Sequence, residues 1–280
     1  MMTTVSELLL KAEQSINCSA SARLDAEILF CDMMQYTRSR IYSHPQQLVP
    51  DDKSALFQSL IEQRQLGRPI AHLTGKKEFW SLELAINKET LIPRPETECL
   101  VEAALQMIPD DVAFNILDLG TGSGAIAIAI ASERPNSKIV ATEINSEALD
   151  LARKNAATHQ QNNIQFLLSD WYKNIPLQSF DLIISNPPYI KQDDEHLSQG
   201  DLRFESELAL VAGADGMDAI NIVLENAKDY LANNAFLLIE HGYDQRILVQ
   251  HAFLTNGFKQ IKTLQDLSGQ DRITYGQISN

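Results

Sequence analysis

From about residue 5 to about residue 68, apolar residues recur at the three-and-four spacing of amphipathic helices. Ala22, Ala26, Leu29, Phe30 and Met33 share one face, and Leu56, Leu60 and Ile61 repeat the pattern. This predicts a small helical bundle, with Pro45 and Pro50 bounding a loop and helix starts at Ser6 with Glu7 and at Ser21 with Asp25. Over residues 78–87 the period changes: Phe79, Leu82, Leu84 and Ile86 mostly alternate, as in a short strand or hairpin. Beyond that point strand and helix patterns take turns, which implies a doubly wound, mostly parallel sheet with helices on both faces, an α/β fold. The predicted strands are 115–118, 138–143, 164–168, 180–185 and 235–240. A helix over about 245–256 follows, and 258–264 with 272–278 can close the sheet as an antiparallel hairpin. The chain therefore divides into a helical domain, 1–75, a linking segment, 76–91, and an α/β domain, 92–280.

Composition adds bounds to this picture. At 280 residues, one large and one small domain is the natural division, and 44% hydrophobic with 21% charged residues is ordinary globular usage without repeats. The N-terminal stretch has no basic leader and its apolar run, 8–10, is too short to span a membrane, so a cytoplasmic protein without membrane contact is expected. Cys18, Cys31 and Cys99 are widely spaced and the six histidines lack ligand spacing; neither a disulfide framework nor a metal site is expected. Charge is uneven. Residues 1–90 hold 10 Lys or Arg against 11 Asp or Glu, leaving 13 against 26 for the rest of a chain whose net charge is −14. Such a carboxylate surplus opposes tracking a nucleic-acid backbone, where Lys and Arg replace counterions.

Four constellations carry chemistry. Asp118, Gly120, Thr121, Gly122, Ser123 and Gly124 lie where the first α/β strand gives way to a helix beginning near Ala125. Glycines permit a sharp turn and close backbone approach to a ligand, and the helix start offers unpaired N–H groups, so a nucleotide-type ligand is indicated. Because Gly120, Gly122 and Ala125 also satisfy G-x-G-x-x-G/A, this loop by itself leaves NAD open. Glu143 ends the second strand, where a doubly wound fold places the acid that holds ribose hydroxyls, with Asn145 and Ser146 as alternative helix caps. Asp170 and Trp171 follow the third strand, where an acid and an aromatic ring can read and stack adenine.

The fourth is Asn186-Pro187-Pro188-Tyr189, directly after the fourth strand. A carboxamide nitrogen is a poor nucleophile because its lone pair is delocalised. Alkylating it calls for acceptors that take both N–H groups and favour a pyramidal nitrogen. Asn186 Oδ1 and the Pro187 carbonyl can be those acceptors, the prolines hold the turn rigid, and Tyr189 adds a wall. An exocyclic amine of adenine or cytosine would use the same acceptors, so the motif indicates a reaction type rather than one substrate.

With these residues in place, the chain resembles the release factor glutamine methyltransferases over nearly its whole length. The resemblance is carried by 118–124 (DLGTGSG), 186–189 (NPPY), 91–101 (LIPRPETECLV), 68–80 (RPIAHLTGKKEFW) and 199–210 (QGDLRFESELAL). Two positions depart from the family: its ribose acid is often Asp where Glu143 stands, and Glu-Pro is common where this chain has Glu205-Ser206. The resemblance implies a class I, Rossmann-like methyltransferase using S-adenosylmethionine, and a helical domain that holds the protein substrate. It implies that 120–124 hold the cofactor's methionine end, Glu143 its ribose and Trp171 its adenine, with Asn186 shared between cofactor and substrate. Asn186 to Tyr189 would hold a glutamine in the Gly-Gly-Gln motif of class I peptide chain release factors, and Arg94 and Glu96 would shape the pocket behind it. A monomer is expected. The alternatives are a nucleic-acid adenine methyltransferase, which the acidic catalytic half opposes, an NAD oxidoreductase, which leaves 186–189 without a role, and a non-catalytic binding protein with a vestigial pocket.

Overall fold

The computed structural model describes residues 3–278, which fall into two compact units, 3–76 with 198–204, and 77–197 with 205–278. Among the described residues no helix is long and apolar enough to cross a membrane.

The first unit is built on helices Val5–Ser15, Ala22–Met34, Arg38–Ser43, Asp51–Gln65 and Ile70–Thr74, plus a two-residue antiparallel pairing of Thr3–Thr4 with Leu48–Val49. Leu9, Leu29, Phe30, Phe57 and Ile61 form its core, with the Phe30 and Phe57 rings edge to face at 5.3 Å. The first helix starts slightly earlier than expected. Thr4 is its cap, in a reciprocal box with Glu7, because Thr4 rather than Ser6 has the extended backbone that an N-cap needs. Two carboxylates are buried here and both are paired: Glu27 accepts Arg23, Arg38 and Tyr42, and Asp25 accepts Arg64 at 2.8 Å. Ser198–Phe204 joins this unit through Arg203, whose guanidinium donates to the Leu66 carbonyl at 3.2 Å.

From Lys77 on, the second unit opens on the hairpin whose strands are Lys76–Phe79 and Leu82–Ala85. Trp80 and Ser81 occupy its turn at φ 53° and 59°, the twist that suits a two-residue hairpin. Neither residue favours that region, and Trp80 is held by donating its backbone N–H to Glu98 and its indole N–H to Glu133, each at 2.9 Å.

The sheet has seven strands: β1 (Asn115–Leu119), β2 (Lys138–Glu143), β3 (Ile164–Leu168), β4 (Phe180–Ser185), β5 (Leu231–Glu240), β6 (Lys259–Gln265) and β7 (Asp271–Gln277). Their order is β6-β7-β5-β4-β1-β2-β3, parallel except that β7 runs antiparallel to both its neighbours. The doubly wound α/β expectation therefore holds, with the antiparallel ending. β5 starts at Leu231, earlier than its apolar run suggests, since Asn233 and Asn234 interrupt that run and Asn234 sits at φ 62°. β1 and β4 are buried on both faces, and the helix Ala125–Glu133 is buried from Ala125 to Ala131, which explains its unbroken Ala-Ile pattern.

Register is what assembles the site. Leu119 pairs with Thr142 on one side and Ser185 on the other, and Ser185 pairs with Ile239. Gly120, Glu143, Asn186 and Glu240 therefore sit level at the carboxyl edge of four adjacent strands, with the sheet's reversal of strand order between β1 and β4.

Candidate active site

A cavity of about 1040 Å³, open to solvent, occupies that edge. The expected residues Gly120, Thr121, Gly122, Ser123, Glu143, Asp170, Trp171, Asn186 and Pro188 line it. The structure thus brings together segments that lie far apart in the chain. Pro187, Tyr189, Arg94 and Glu96 do not line it, while Pro93 and Thr97 on either side of the latter two do.

The glycine loop is shaped by backbone bonds: Gly120 and Thr121 N–H both donate to the Thr142 carbonyl, at 3.0 and 2.8 Å. Gly120 lies at φ 74° beneath Trp171, and a Cβ there would come within 3.9 Å of the indole. Gly124, at φ 85°, is the residue from which the following helix springs, and it does not line the cavity. Asp118 is buried below the loop and accepts the Thr121 hydroxyl at 2.6 Å; burial pushes its carboxyl up to about 7 against the pull of that bond.

Glu143 accepts Gly122 N–H at 2.9 Å through Oε2, and Ile144 and Asn145 N–H at 2.9 and 3.0 Å through Oε1. The cap role of the next residues is a separate one, since Asn145 Oδ1 accepts Glu147 and Ala148 N–H while Glu143 faces the cavity. Trp171 is at φ 49°, its carbonyl tied to the Ser169 hydroxyl at 2.7 Å, which sets the ring over Gly120. Asp170 pairs with Lys173 at 2.6 Å.

After β4, Asn186 Nδ2 donates to Thr97 Oγ1 at 3.2 Å, and among the described residues no donor engages Oδ1. Tyr189 donates its hydroxyl to Glu240 Oε1 at 3.4 Å, burial having pushed the phenol up. The turn is clamped from behind: Gln245 Nε2 donates to the Tyr189 carbonyl at 3.0 Å, and Ile190 exchanges backbone bonds with Leu210 and Ala212. Arg94 is ion-paired with Glu205, whose other oxygen accepts Ile92 N–H at 2.9 Å. The departure at Ser206 leaves the backbone where proline would put it, at φ −67°.

Thr97 and Glu240 do not stand out in the sequence. Thr97 lies within the stretch 91–101 without a role read for it there, Glu240 belongs to no short motif, and only strand register places Glu240 beside Asn186.

A glycine loop, an acid bonded to it, an indole above it and an asparagine beside it thus share one cavity at the carboxyl edge of a doubly wound sheet. Fold and site together define an S-adenosylmethionine-dependent methyltransferase. The family model for the methyltransferase small domain matches residues 97–207, and that for the PrmC N-terminal domain matches residues 7–75. A release factor glutamine methyltransferase of Aliivibrio fischeri is 42% identical over 280 residues, covering 99% of this chain and 98% of the relative. Its counterpart in Escherichia coli is 44% identical over 267 residues, covering 95% and 96%. Among solved structures, a methyltransferase from Pyrococcus furiosus superposes with a TM-score of 0.55 at 19% identity, covering 81% of this chain and 100% of that one, a likeness of fold. The chain belongs to the release factor glutamine methyltransferase family.

Proposed function

We propose that this enzyme methylates the side-chain amide nitrogen of the glutamine in the Gly-Gly-Gln motif of class I release factors, using S-adenosylmethionine held in the cavity at the sheet edge. The observation that carries this reading is the hydrogen bond from Asn186 Nδ2 to Thr97, which commits the donor end of the Asn186 amide and leaves Oδ1 to accept on a cavity-lining residue. The relatives named for this activity support the substrate.

Bound S-adenosylmethionine supplies an electrophilic methyl group, so the protein's task is alignment and charge stabilisation. Asn186 Oδ1 and the Pro187 carbonyl take the two amide hydrogens, which draws electron density onto the nitrogen and favours its pyramidal form. Pro187 and Pro188 lock the turn that carries both acceptors. Glu143 holds the ribose hydroxyls, Trp171 and Asp170 the adenine, and residues 120–124 the methionine end. Arg94 orders the loop bearing Glu205, and Glu96 stands beside Thr97 in the same segment. Alkylation makes the nitrogen acidic and the proton leaves afterwards, to solvent. The helical unit is assigned the rest of the release factor, and the enzyme acts as a monomer in the cytoplasm without binding nucleic acid.

The test is to incubate the enzyme with isotopically labelled S-adenosylmethionine and an intact release factor and to locate the label by peptide mapping. Label on the Gly-Gly-Gln glutamine is expected. Label on another residue, or on added DNA in place of the release factor, would overturn the substrate.

A further inference from the structure

Glu240 ends β5 level with Asn186, it is 1% exposed, and no step of the reaction above uses it. A buried carboxylate without full compensation is expensive, and here Oε2 has no hydrogen bond among the described residues while Oε1 takes the Tyr189 hydroxyl. The Thr97 hydroxyl lies against the same carboxylate and favours its charged form. Thr97 Oγ1 is also the atom that accepts Asn186 Nδ2, across 89 positions of sequence. Both ends of the Asn186–Tyr189 turn thus converge on one acid.

The polarity of these contacts decides which end of Asn186 points where. A carboxylate only accepts and Thr97 Oγ1 already accepts from Asn186 Nδ2, so the negative charge of Glu240, near Thr97 without a formed hydrogen bond, draws the Thr97 proton to its side and leaves a Thr97 lone pair toward Asn186. The donor end of the amide fits there and Oδ1 is turned away from it. A protonated or amide side chain at 240 lacks the charge that draws this proton and adds a donor that can face Thr97, which frees the Thr97 proton to point at Asn186 and favours rotation of the amide. An N–H would then meet the substrate where an acceptor is needed.

We propose that Glu240 is a positioning residue for methyl transfer, acting through Thr97 to hold Asn186 Oδ1 toward the target amide and through Tyr189 to hold the far end of the turn. The proposal rests on the reading of Asn186 as an acceptor. Burial pushes the Glu240 carboxyl up to about 7, with the Thr97 hydroxyl, Arg272 and the Tyr189 hydroxyl drawing it down and Glu96 pushing it up. The groups facing it are Thr97 and Glu96 from the segment before the helix Glu98–Met107, Cys99 on that helix, Tyr189 after β4, and Arg272 on β7, itself paired with Asp266. Arg94 also acts on Tyr189, drawing its phenol down. Charging of Glu240 near neutrality makes the productive amide orientation the high-pH one.

The experiment is single-turnover transfer to intact release factor at saturating cofactor, from about pH 5.5 to about pH 8.5, with S-adenosylhomocysteine titration and thermal melting of every variant. The wild-type rate is expected to climb through about pH 7 and level off above it. Glu240→Gln should lower the plateau by about 10- to 100-fold and flatten the profile, with nucleoside affinity and melting temperature held. Thr97→Val should behave alike, and Thr97→Ser should restore the rate. Asn186→Asp presents two equivalent oxygens and has no wrong end, so adding Glu240→Gln to it should cost less than about threefold. A Glu240→Gln enzyme with the wild-type plateau and inflection, or one that loses as much in the Asn186→Asp background as in the wild-type one, overturns the positioning role. A wild-type rate in Asn186→Ala overturns the acceptor reading itself, which separates the two failures.

Discussion

The backbone N–H of Gly122 donates to Glu143 Oε2 at 2.9 Å, a bond that ties the glycine loop after β1 to the acid at the end of β2. Glu143→Ala removes the acceptor for three backbone N–H groups and, on the proposed reading, for the ribose hydroxyls. Affinity for S-adenosylhomocysteine, measured by calorimetry, is expected to fall by about 1–3 kcal/mol. Glu143→Asp should lose less, since a shorter carboxylate can still bridge two hydroxyls. Unchanged affinity in the alanine variant would move the ribose contact elsewhere.

Asp118 makes stability depend on pH in a definite direction. Burial raises its carboxyl from 3.8 to about 7 in the folded chain, with the Thr121 hydroxyl opposing and Glu143 adding to the rise. A raised carboxyl holds its proton more tightly folded than unfolded, so its contribution is fully present below about 3.8 and is lost as pH rises through about 7. The total is about 4 kcal/mol at roughly 1.36 kcal/mol per unit of pKa. Asp118→Asn escapes this loss. The melting temperature of the variant relative to wild type should therefore increase from about pH 4 to about pH 7 and then level off. A difference that is flat over that range contradicts the buried-charge account.

Gly124 springs the helix after the glycine loop at φ 85°, and a Cβ there would lie 2.9 Å from Ile128 Cδ1 and 3.2 Å from Ala152 Cβ. Gly124→Ala is expected to destabilise the fold by about 1–3 kcal/mol through backbone strain and this crowding. Denaturant titration measures it, and a loss below about 0.5 kcal/mol would mean that the loop can shift to make room.

Ser206 already has the φ of −67° that proline imposes. Ser206→Pro should leave transfer intact and raise stability by about 0.4–1 kcal/mol, chiefly by restricting the unfolded chain. A destabilised variant would show that the turn needs an unrestricted residue before the helix Glu207–Leu210.

Much of this molecule can be read from its residues in order. Strands 138–143, 164–168 and 180–185 coincide with observed strands because each is a short run rich in apolar residues between polar turns, and the glycine loop and Asn186–Tyr189 are local motifs at strand ends. What escapes is set by tertiary register. Thr97 stands in a proline-rich turn and Glu240 ends an ordinary strand, and neither has a local pattern that points to the other or to Asn186. The N-cap at Thr4 escapes for a related reason: Ser6 and Thr4 are both suitable chemically, and backbone geometry decides between them. Arg94 is visible as a charged loop residue, but its partner Glu205 lies 111 positions away and is brought to it by the fold.

The central claim is that Asn186 Oδ1 accepts a hydrogen from the target amide while the nitrogen is being methylated. Its most direct test is the single-turnover rate of Asn186→Ala with intact release factor and saturating S-adenosylmethionine, beside cofactor titration and thermal melting of the same protein. Loss of a preorganised transition-state hydrogen bond predicts a rate lower by about 100- to 1,000-fold, equivalent to about 2.7–4 kcal/mol, with much smaller changes in cofactor affinity and melting temperature. A variant that methylates the glutamine at the wild-type rate would contradict it.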